Sequence, residues 1–238
     1  MKMTDGTVRE FVGFPHGSAP GVQLRHGEHA GRLLLPARFM TGHYTTIDEL
    51  QIYGFNNAIY SDDHGETWTS SEPVQVGTGE GTLIERQDGT ILYNSRAYYH
   101  DQKRYLAVSR DGGATWGEFS TDPFLMEEKN IGCNAAFLRV ERSELKDDSF
   151  LPPDADSVTL FANPRAVNRS HMTVCVSFDS GESWWHTKLI RESGASYSAL
   201  AYTKTDGHFY LLYELGEKDP CLYGLNIAEF DGEWLMEK

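Results

Sequence analysis

Five polar residues stand where the sequence pattern opens or closes a strand: Glu80, Arg96, Arg169, Tyr197 and Glu214. Glu80 sits just before the apolar run that starts at Gly81, and Arg96 closes an alternating run in which Ile91, Tyr93 and Ser95 share a face. Arg169 precedes the run Met172–Val176, Tyr197 opens the next repeat, and Glu214 closes its second strand. A guanidinium is a planar fork of donors suited to an oxyanion. Two that converge make a local positive pocket for a small anion, even in an acidic chain. Taken singly, each residue has a plainer reading: an arginine at a strand end snorkels to water, and a tyrosine is core with a wet hydroxyl. They gain meaning together only if the strands that carry them converge on one axis, so that their ends meet at one mouth.

Other chemistries find less support. His26-Gly27-Glu28-His29 is the one tight pair among nine histidines; it lies in a turn and lacks the H-E-x-x-H spacing. With no C-x-x-C either, neither a metal site nor any other cofactor is expected. The glycine-rich stretch Gly77-Thr78-Gly79-Glu80-Gly81 misses the last position of G-x-G-x-x-G and leads into a strand, so phosphate binding is not expected. Asn168-Arg169-Ser170 is formally a glycosylation triplet but is not expected to carry a glycan.

The elements that must position these residues are announced by a repeat. Ser61-Asp62-Asp63-His64-Gly65-Glu66-Thr67-Trp68, Ser109-Arg110-Asp111-Gly112-Gly113-Ala114-Thr115-Trp116 and Ser177-Phe178-Asp179-Ser180-Gly181-Glu182-Ser183-Trp184 all read S-x-D-x-G-x-[ST]-W. Ser and Asp side chains accept bonds from nearby backbone N–H groups and Gly supplies a positive φ, which makes a tight turn between two strands. Asp63, Asp111 and Asp179 are therefore read as structural, with Trp68, Trp116 and Trp184 each folding back over an apolar layer. Repeats of a few tens of residues mean solenoids, propellers or arrays. Around the turns the chain falls into four units of strand, turn, strand, longer link, strand, with Asp88-Gly89 and Asp206-Gly207 as hairpin signals. Four antiparallel strands per repeat is a propeller blade. The expected fold is all-β: a lead-in over 1–18, then four four-stranded blades over about 19–76, 79–125, 130–190 and 195–236, with the fourth lacking a turn motif and ending on Glu233-Trp234-Leu235.

Composition agrees with this grammar. At 238 residues there is room for a substantial core, and 23 glycines suit many short strands joined by turns. A formal net charge of −14 argues against nucleic acid or an anionic membrane as partner. Cys133, Cys175 and Cys221 are too few for a disulfide framework, and Val174-Cys175-Val176 reads as strand interior. The start MKMTDGTVRE has no apolar signal region. The chain as it stands is expected to be soluble and cytoplasmic, with secretion or a periplasmic location open to a longer parent.

The three turn motifs are those of the Asp box, and the chain resembles the sialidase (neuraminidase) family from Pro20 to Leu235. Gly31-Arg32-Leu33-Leu34-Leu35-Pro36-Ala37 looks like the blade before the family's catalytic glutamate. The run from Glu80 through Asp88-Gly89-Thr90 to Asn94-Ser95-Arg96 resembles that glutamate's own blade, ending on the second arginine of the family triad. Gly132-Cys133-Asn134-Ala135 and Phe161-Ala162-Asn163-Pro164 resemble the next blade, with Arg169 at the third arginine. Ala195-Ser196-Tyr197-Ser198-Ala199-Leu200 looks like the nucleophile segment, and Leu212-Tyr213-Glu214 like the glutamate that orients the first arginine. The resemblance implies release of terminal sialic acid, with Tyr197 as nucleophile, Glu80 as its base, and Arg96 and Arg169 on the substrate carboxylate. A carboxylate nucleophile would be repelled by that charge, which is why a tyrosine is the sialidase exception among glycosidases. The family's Phe/Tyr-Arg-Ile-Pro arginine and its acid/base aspartate have no counterpart. Asp48 stands a suitable distance before an Asp box, though its blade matches a later family blade. The family has six blades, so the chain reads as the C-terminal four, with open edges for self-association or for missing N-terminal blades. The alternative is a non-catalytic Asp-box propeller that binds glycans or a protein partner.

Overall fold

The structure, a computed structural model, describes residues 19–41, 45–216 and 224–237. Cys221 and the lead-in over 1–18 lie outside the described residues. The chain divides into two compact units, Met1–Gly132 and Cys133–Lys238.

The first unit holds two four-stranded antiparallel sheets, each a meander in chain order. The first is β1 (Val22–Gln23), β2 (Leu33–Met40), β3 (Gly54–Ser61) and β4 (Thr69–Ser70). A 3-10 turn at Ile47–Glu49 and the one-turn helix α1 (Leu50–Tyr53) lie on the link between β2 and β3. The second sheet is β5 (Thr78–Glu85), β6 (Ile91–Ala97), β7 (Lys103–Ser109) and β8 (Gly117–Met126). The β5–β6 hairpin is closed as Asp88-Gly89 predicts: Asp88 Oδ1 accepts from the Thr90 amide at 3.0 Å, and Gly89 takes φ 81°. Leu24, Leu34, Ala58 and Val74 form one core with Leu83, Ile91, Tyr93 and Ala107, so the two sheets bury apolar side chains against each other. Every residue of β5 and β6 is buried.

The second unit is one six-stranded antiparallel sheet in chain order: β9 (Ala136–Glu141), β10 (Ser157–Pro164), β11 (Ser170–Ser177), β12 (His186–Thr203), β13 (His208–Leu215) and β14 (Gly224–Phe230), followed by α2 (Gly232–Met236). Strand β12 is 18 residues long and serves two meanders: residues 186–194 pair with β11, and residues 195–203 pair with β13. The outer strand expected for the third repeat and the inner strand of the fourth are thus one continuous strand. The fourth repeat has three strands and a helix, not four strands. Asp231 caps that helix by accepting from the Trp234 amide at 2.8 Å, and Leu235 drops fully buried into the core. A capping Asp before a segment without β-branched residues favours helix over an outer strand. The core runs from Leu160 and Val174 to Leu200, Phe209, Leu211 and Phe230. Cys133 and Cys175 are both buried thiols. No helix among the described residues is long and apolar enough to cross a membrane.

The three turn motifs close with one hydrogen-bond pattern. In the second, the Ser109 hydroxyl donates to Asp111 (2.7 Å) and accepts from the Gly113 amide (2.8 Å), while Asp111 takes the amide (2.9 Å) and hydroxyl (2.6 Å) of Thr115. Ser61/Asp63/Thr67 and Ser177/Asp179/Ser183 repeat the pattern. Two successive residues in each turn are left-handed: His64-Gly65, Gly112-Gly113 and Ser180-Gly181.

The tryptophans differ. Trp116 meets Tyr93 edge-on with centroids 5.1 Å apart, and Trp184 packs against Phe161 at 6.0 Å. Trp68 does not fold over an apolar layer; it is 42% exposed and its indole N–H donates to Gly65 O at 3.0 Å. Strand register explains this. Two residues into the second strand of each sheet, counted from the partner of the turn serine, stand Tyr93, Phe161 and Leu35. The first sheet therefore offers Trp68 no ring. Trp116→Ala is expected to cost about 3–5 kcal/mol and Trp68→Ala less than about 1 kcal/mol, measured by urea denaturation.

The turn aspartates also set an acid limit. Hydrogen bonds from Thr67 hold Asp63 down to about 2. At Asp111 and Asp179 burial pushes upward, but the bonds from Thr115 and Ser183 outweigh it and leave both lowered. A depressed folded-state value contributes stability above the unfolded value of about 4 and loses it as pH falls through the folded one. The thermal midpoint is expected to hold down to about pH 4.5 and then drop towards pH 2. Asp63→Asn/Asp111→Asn/Asp179→Asn should make that drop shallower.

Candidate active site

In the first unit the site is built on a bulge in β5. The pairing of β5 with β6 shifts register between Thr78 and Gly81, and Glu80 sits within the shift, inside the strand rather than before it. Bulges re-aim a side chain. The flanking glycines make room for rings: a Cβ on Gly79 would run into the Tyr98 phenol, and one on Gly81 into Tyr93. That spacing for aromatic side chains is what the glycine-rich stretch is for.

Glu80 is 6% exposed and pairs through Oε2 with the guanidinium of Arg96, itself 4% exposed. Arg96 Nε donates to Ile131 O at 2.7 Å, and its guanidinium carbon stands 5.2 Å from the Tyr98 ring centroid. On the other carboxylate oxygen, Arg38 Nη1 lies 3.6 Å away. Behind Arg96, Arg104 is fully buried; it pairs with Glu127 and donates from Nε to Asn94 at 2.6 Å. Glu128 holds the amides of Asn130 (2.8 Å) and Ile131 (3.1 Å), fixing the loop whose carbonyl holds Arg96.

Sequence reasoning missed Arg38, Arg104 and Glu127. For Arg38 a signal existed. Leu33 pairs with Ser61 as Ile91 pairs with Ser109, and five residues on from each come Arg38 and Arg96. The same radial position carries an arginine in two successive sheets. Asp48 lies on the 3-10 turn before α1, 68% exposed, with Oδ1 3.0 Å from His100 Nε2.

In the second unit Tyr197 also sits on a register shift, between Ala195 and Ser198 where β12 pairs with β13. Its backbone is held from both sides. Glu214 Oε2 accepts the Tyr197 amide at 3.0 Å; Asn134 Oδ1 accepts the Ser198 amide at 3.1 Å; the Ser198 hydroxyl donates to Ala162 O at 2.9 Å. Arg169 donates to the Ser196 hydroxyl at 3.1 Å, and its guanidinium carbon is 5.6 Å from the Tyr197 ring centroid. Tyr197, Arg169 and Glu214 are all half-buried. The structure thus brings Glu80 to Arg96 and Arg38 in one unit, and Tyr197 to Arg169 and Glu214 in the other. Within its unit, Glu214 serves the Tyr197 backbone.

Antiparallel meanders closed by three Asp-box turns, with charged and phenolic side chains raised on bulges in β5 and β12, define an Asp-box β-propeller of the sialidase type. The chain belongs to that family: the model of the BNR repeat-like domain matches residues 13–211. It is 35% identical over 225 residues to a sialidase of Micromonospora viridifaciens, covering 92% of this chain and 30% of that protein. It is 28% identical over 216 residues to an anhydrosialidase of Macrobdella decora, covering 83% and 25%. Among solved structures, the intramolecular trans-sialidase of Ruminococcus gnavus, in complex with oseltamivir carboxylate, superposes with TM-score 0.71 at 22% identity, over 92% of this chain and 44% of that one. The chain therefore spans between a quarter and just under half of the length of these relatives.

Proposed function

We infer that this chain carries the C-terminal four blades of an exo-α-sialidase-type glycoside hydrolase that releases terminal α-linked sialic acid. The observation that carries the reading is the Tyr197 segment: a phenol raised on a bulge, its backbone fixed by Glu214, with Arg169 5.6 Å from its ring. In this reading the Tyr197 oxygen bonds to the anomeric carbon as the glycosidic C–O bond breaks and the aglycone leaves, Glu80 takes the phenol proton, water then displaces the sugar from Tyr197, and Arg96 and Arg169 hold the carboxylate carried on that carbon. The pair of Arg96 with Glu80 supports the set, since it holds both side chains in fixed rotamers in a buried place.

Tyr197→Phe is expected to abolish turnover of a fluorogenic aryl α-sialoside while changing the Kd for sialic acid less than about threefold. Loss of binding with the hydroxyl would make Tyr197 a pocket wall. Absence of both binding and turnover in the wild-type chain would favour the non-catalytic reading.

The truncated form of this reading rests on the last sheet. Strand β14 stands at its edge, with Leu225 and Ile227 65% and 62% exposed and Leu212 opposite Ile227 on β13 39% exposed. Such a face invites a further sheet, from missing N-terminal blades or a second copy. Sedimentation of the isolated chain is expected to show association that Leu225→Lys/Ile227→Lys suppresses; a strictly monomeric wild type would count against open edges.

A further inference from the structure

We propose that Arg38 is a second oxyanion-contacting guanidinium of the first-unit site, taking the carboxylate of an acidic sugar beside Arg96. Three observations meet there. Arg38 occupies the register position of Arg96 one sheet earlier, so both side chains leave their sheets at the same level. The two divide Glu80 unequally: Arg96 pairs closely with Oε2, whereas Arg38 stands 3.6 Å from Oε1, beyond hydrogen-bond distance. Arg38 is also the wetter of the two, 19% exposed at the side chain against 4% for Arg96.

A guanidinium carries five N–H donors. Among the described residues the one hydrogen bond of Arg38 runs from Nη1 to the Tyr98 hydroxyl at 3.2 Å. That bond aims the fork without consuming it. Tyr98 is itself held in place, because Gly79 leaves room for its phenol and its ring lies under Arg96. A guanidinium that only neutralised Glu80 would close on it as Arg96 does. One held a step back by a buried phenol, with donors remaining and partial access to water, is set to receive a planar carboxylate in two-pronged fashion. Glu80 does not repel that ligand strongly, since Arg96 already covers one of its oxygens. The inference rests on the sialidase-type reading for the identity of the ligand, but not for the chemistry of the contact.

The test uses the full chain and three probes: N-acetylneuraminic acid, its methyl ester, and acetate. Binding is read by calorimetry and by the guanidinium resonances of Arg38 in heteronuclear NMR. The free acid and acetate are both expected to shift the Arg38 signals. Arg38→Met should weaken the free acid about tenfold, the value of one charge-assisted contact, and leave the ester unchanged; Arg38→Lys should fall between. Should Arg38→Met fail to fold, Tyr98→Phe loosens the same fork without removing the charge and should weaken the acid by a smaller factor. Arg38 signals unmoved by both acid and acetate would overturn the proposal, as would full affinity of Arg38→Met for the acid. If the wild type ignores the sugar but acetate still moves Arg38, the sialidase-type reading falls and Arg38 stands as a carboxylate contact.

Discussion

An activated aryl α-sialoside should be hydrolysed by this chain at least about 10²-fold faster than a natural sialoside, because general acid catalysis typically contributes about 10²–10⁴-fold. An aryl leaving group departs with little protonation, whereas a sugar alkoxide needs a proton as the bond breaks. The residues proposed for carboxylate binding and nucleophilic attack are in the chain, and the proposed reading includes no aspartate at the family's acid/base position. Asp48 is the one stand-in that its place before an Asp box suggests. In the structure it lies on an exposed 3-10 turn with its carboxylate engaged by His100, so it has no fixed place in a dry pocket. Asp48→Asn is accordingly expected to leave the aryl-sialoside rate within about twofold of wild type. The measurement is a pair of kcat/KM values, with released sialic acid quantified for both substrates. Equal rates on the two would mean that a proton donor is present, and a selective loss of natural-substrate rate in Asp48→Asn would name it.

The fold was legible wherever the sequence used turn chemistry. Three Asp boxes and the Asp88-Gly89 hairpin predict turns by mechanism, and the strands between them follow with small shifts at their ends. Glu80 and Tyr197 were legible as candidates, but the bulges that lift them were not, because a bulge changes pairing without changing the local apolar pattern. The merger of two strands into β12 was hidden for a related reason. Arg191, Glu192 and Ser193 read as a polar link, yet they continue the strand: Arg191 pairs with Met172 and Gly194 with Ser170 on β11, and the two residues between lie in a register shift. The fourth repeat ends in a helix where the repeat grammar predicts an outer strand at Glu233-Trp234-Leu235, because Asp231 is a helix cap. The motif predicts Trp68 over an apolar layer, but the side chain two residues along the second strand, Leu35, lies outside the motif and offers no ring. Arg38, Arg104 and Glu127 act through residues far away in sequence, and only strand register brings them into view.

Replacing Arg104 by Met is expected to destabilise the first unit by about 3–5 kcal/mol, the cost of leaving a buried charge without its partner. Arg104 is completely buried in β7 and Glu127 is 2% exposed, so neither charge is hydrated by bulk water. Their mutual pairing, with Asn94 accepting from the Arg104 Nε at 2.6 Å, replaces that hydration. Removing the guanidinium keeps the volume roughly constant but strands the Glu127 carboxylate. The effect should reach the candidate site, because Glu127 opens the loop whose Ile131 carbonyl accepts from Arg96 Nε. Arg104→Met is therefore expected to loosen Arg96 as well as to lower the urea midpoint. The double variant Arg104→Met/Glu127→Leu removes both charges and should recover most of the loss, since an apolar pair often equals a buried ion pair in stability. A double-mutant cycle in urea decides the matter. A single-variant cost below about 1 kcal/mol would show that water or another cation serves Glu127, and a double variant no more stable than Arg104→Met would locate the cost in packing rather than charge.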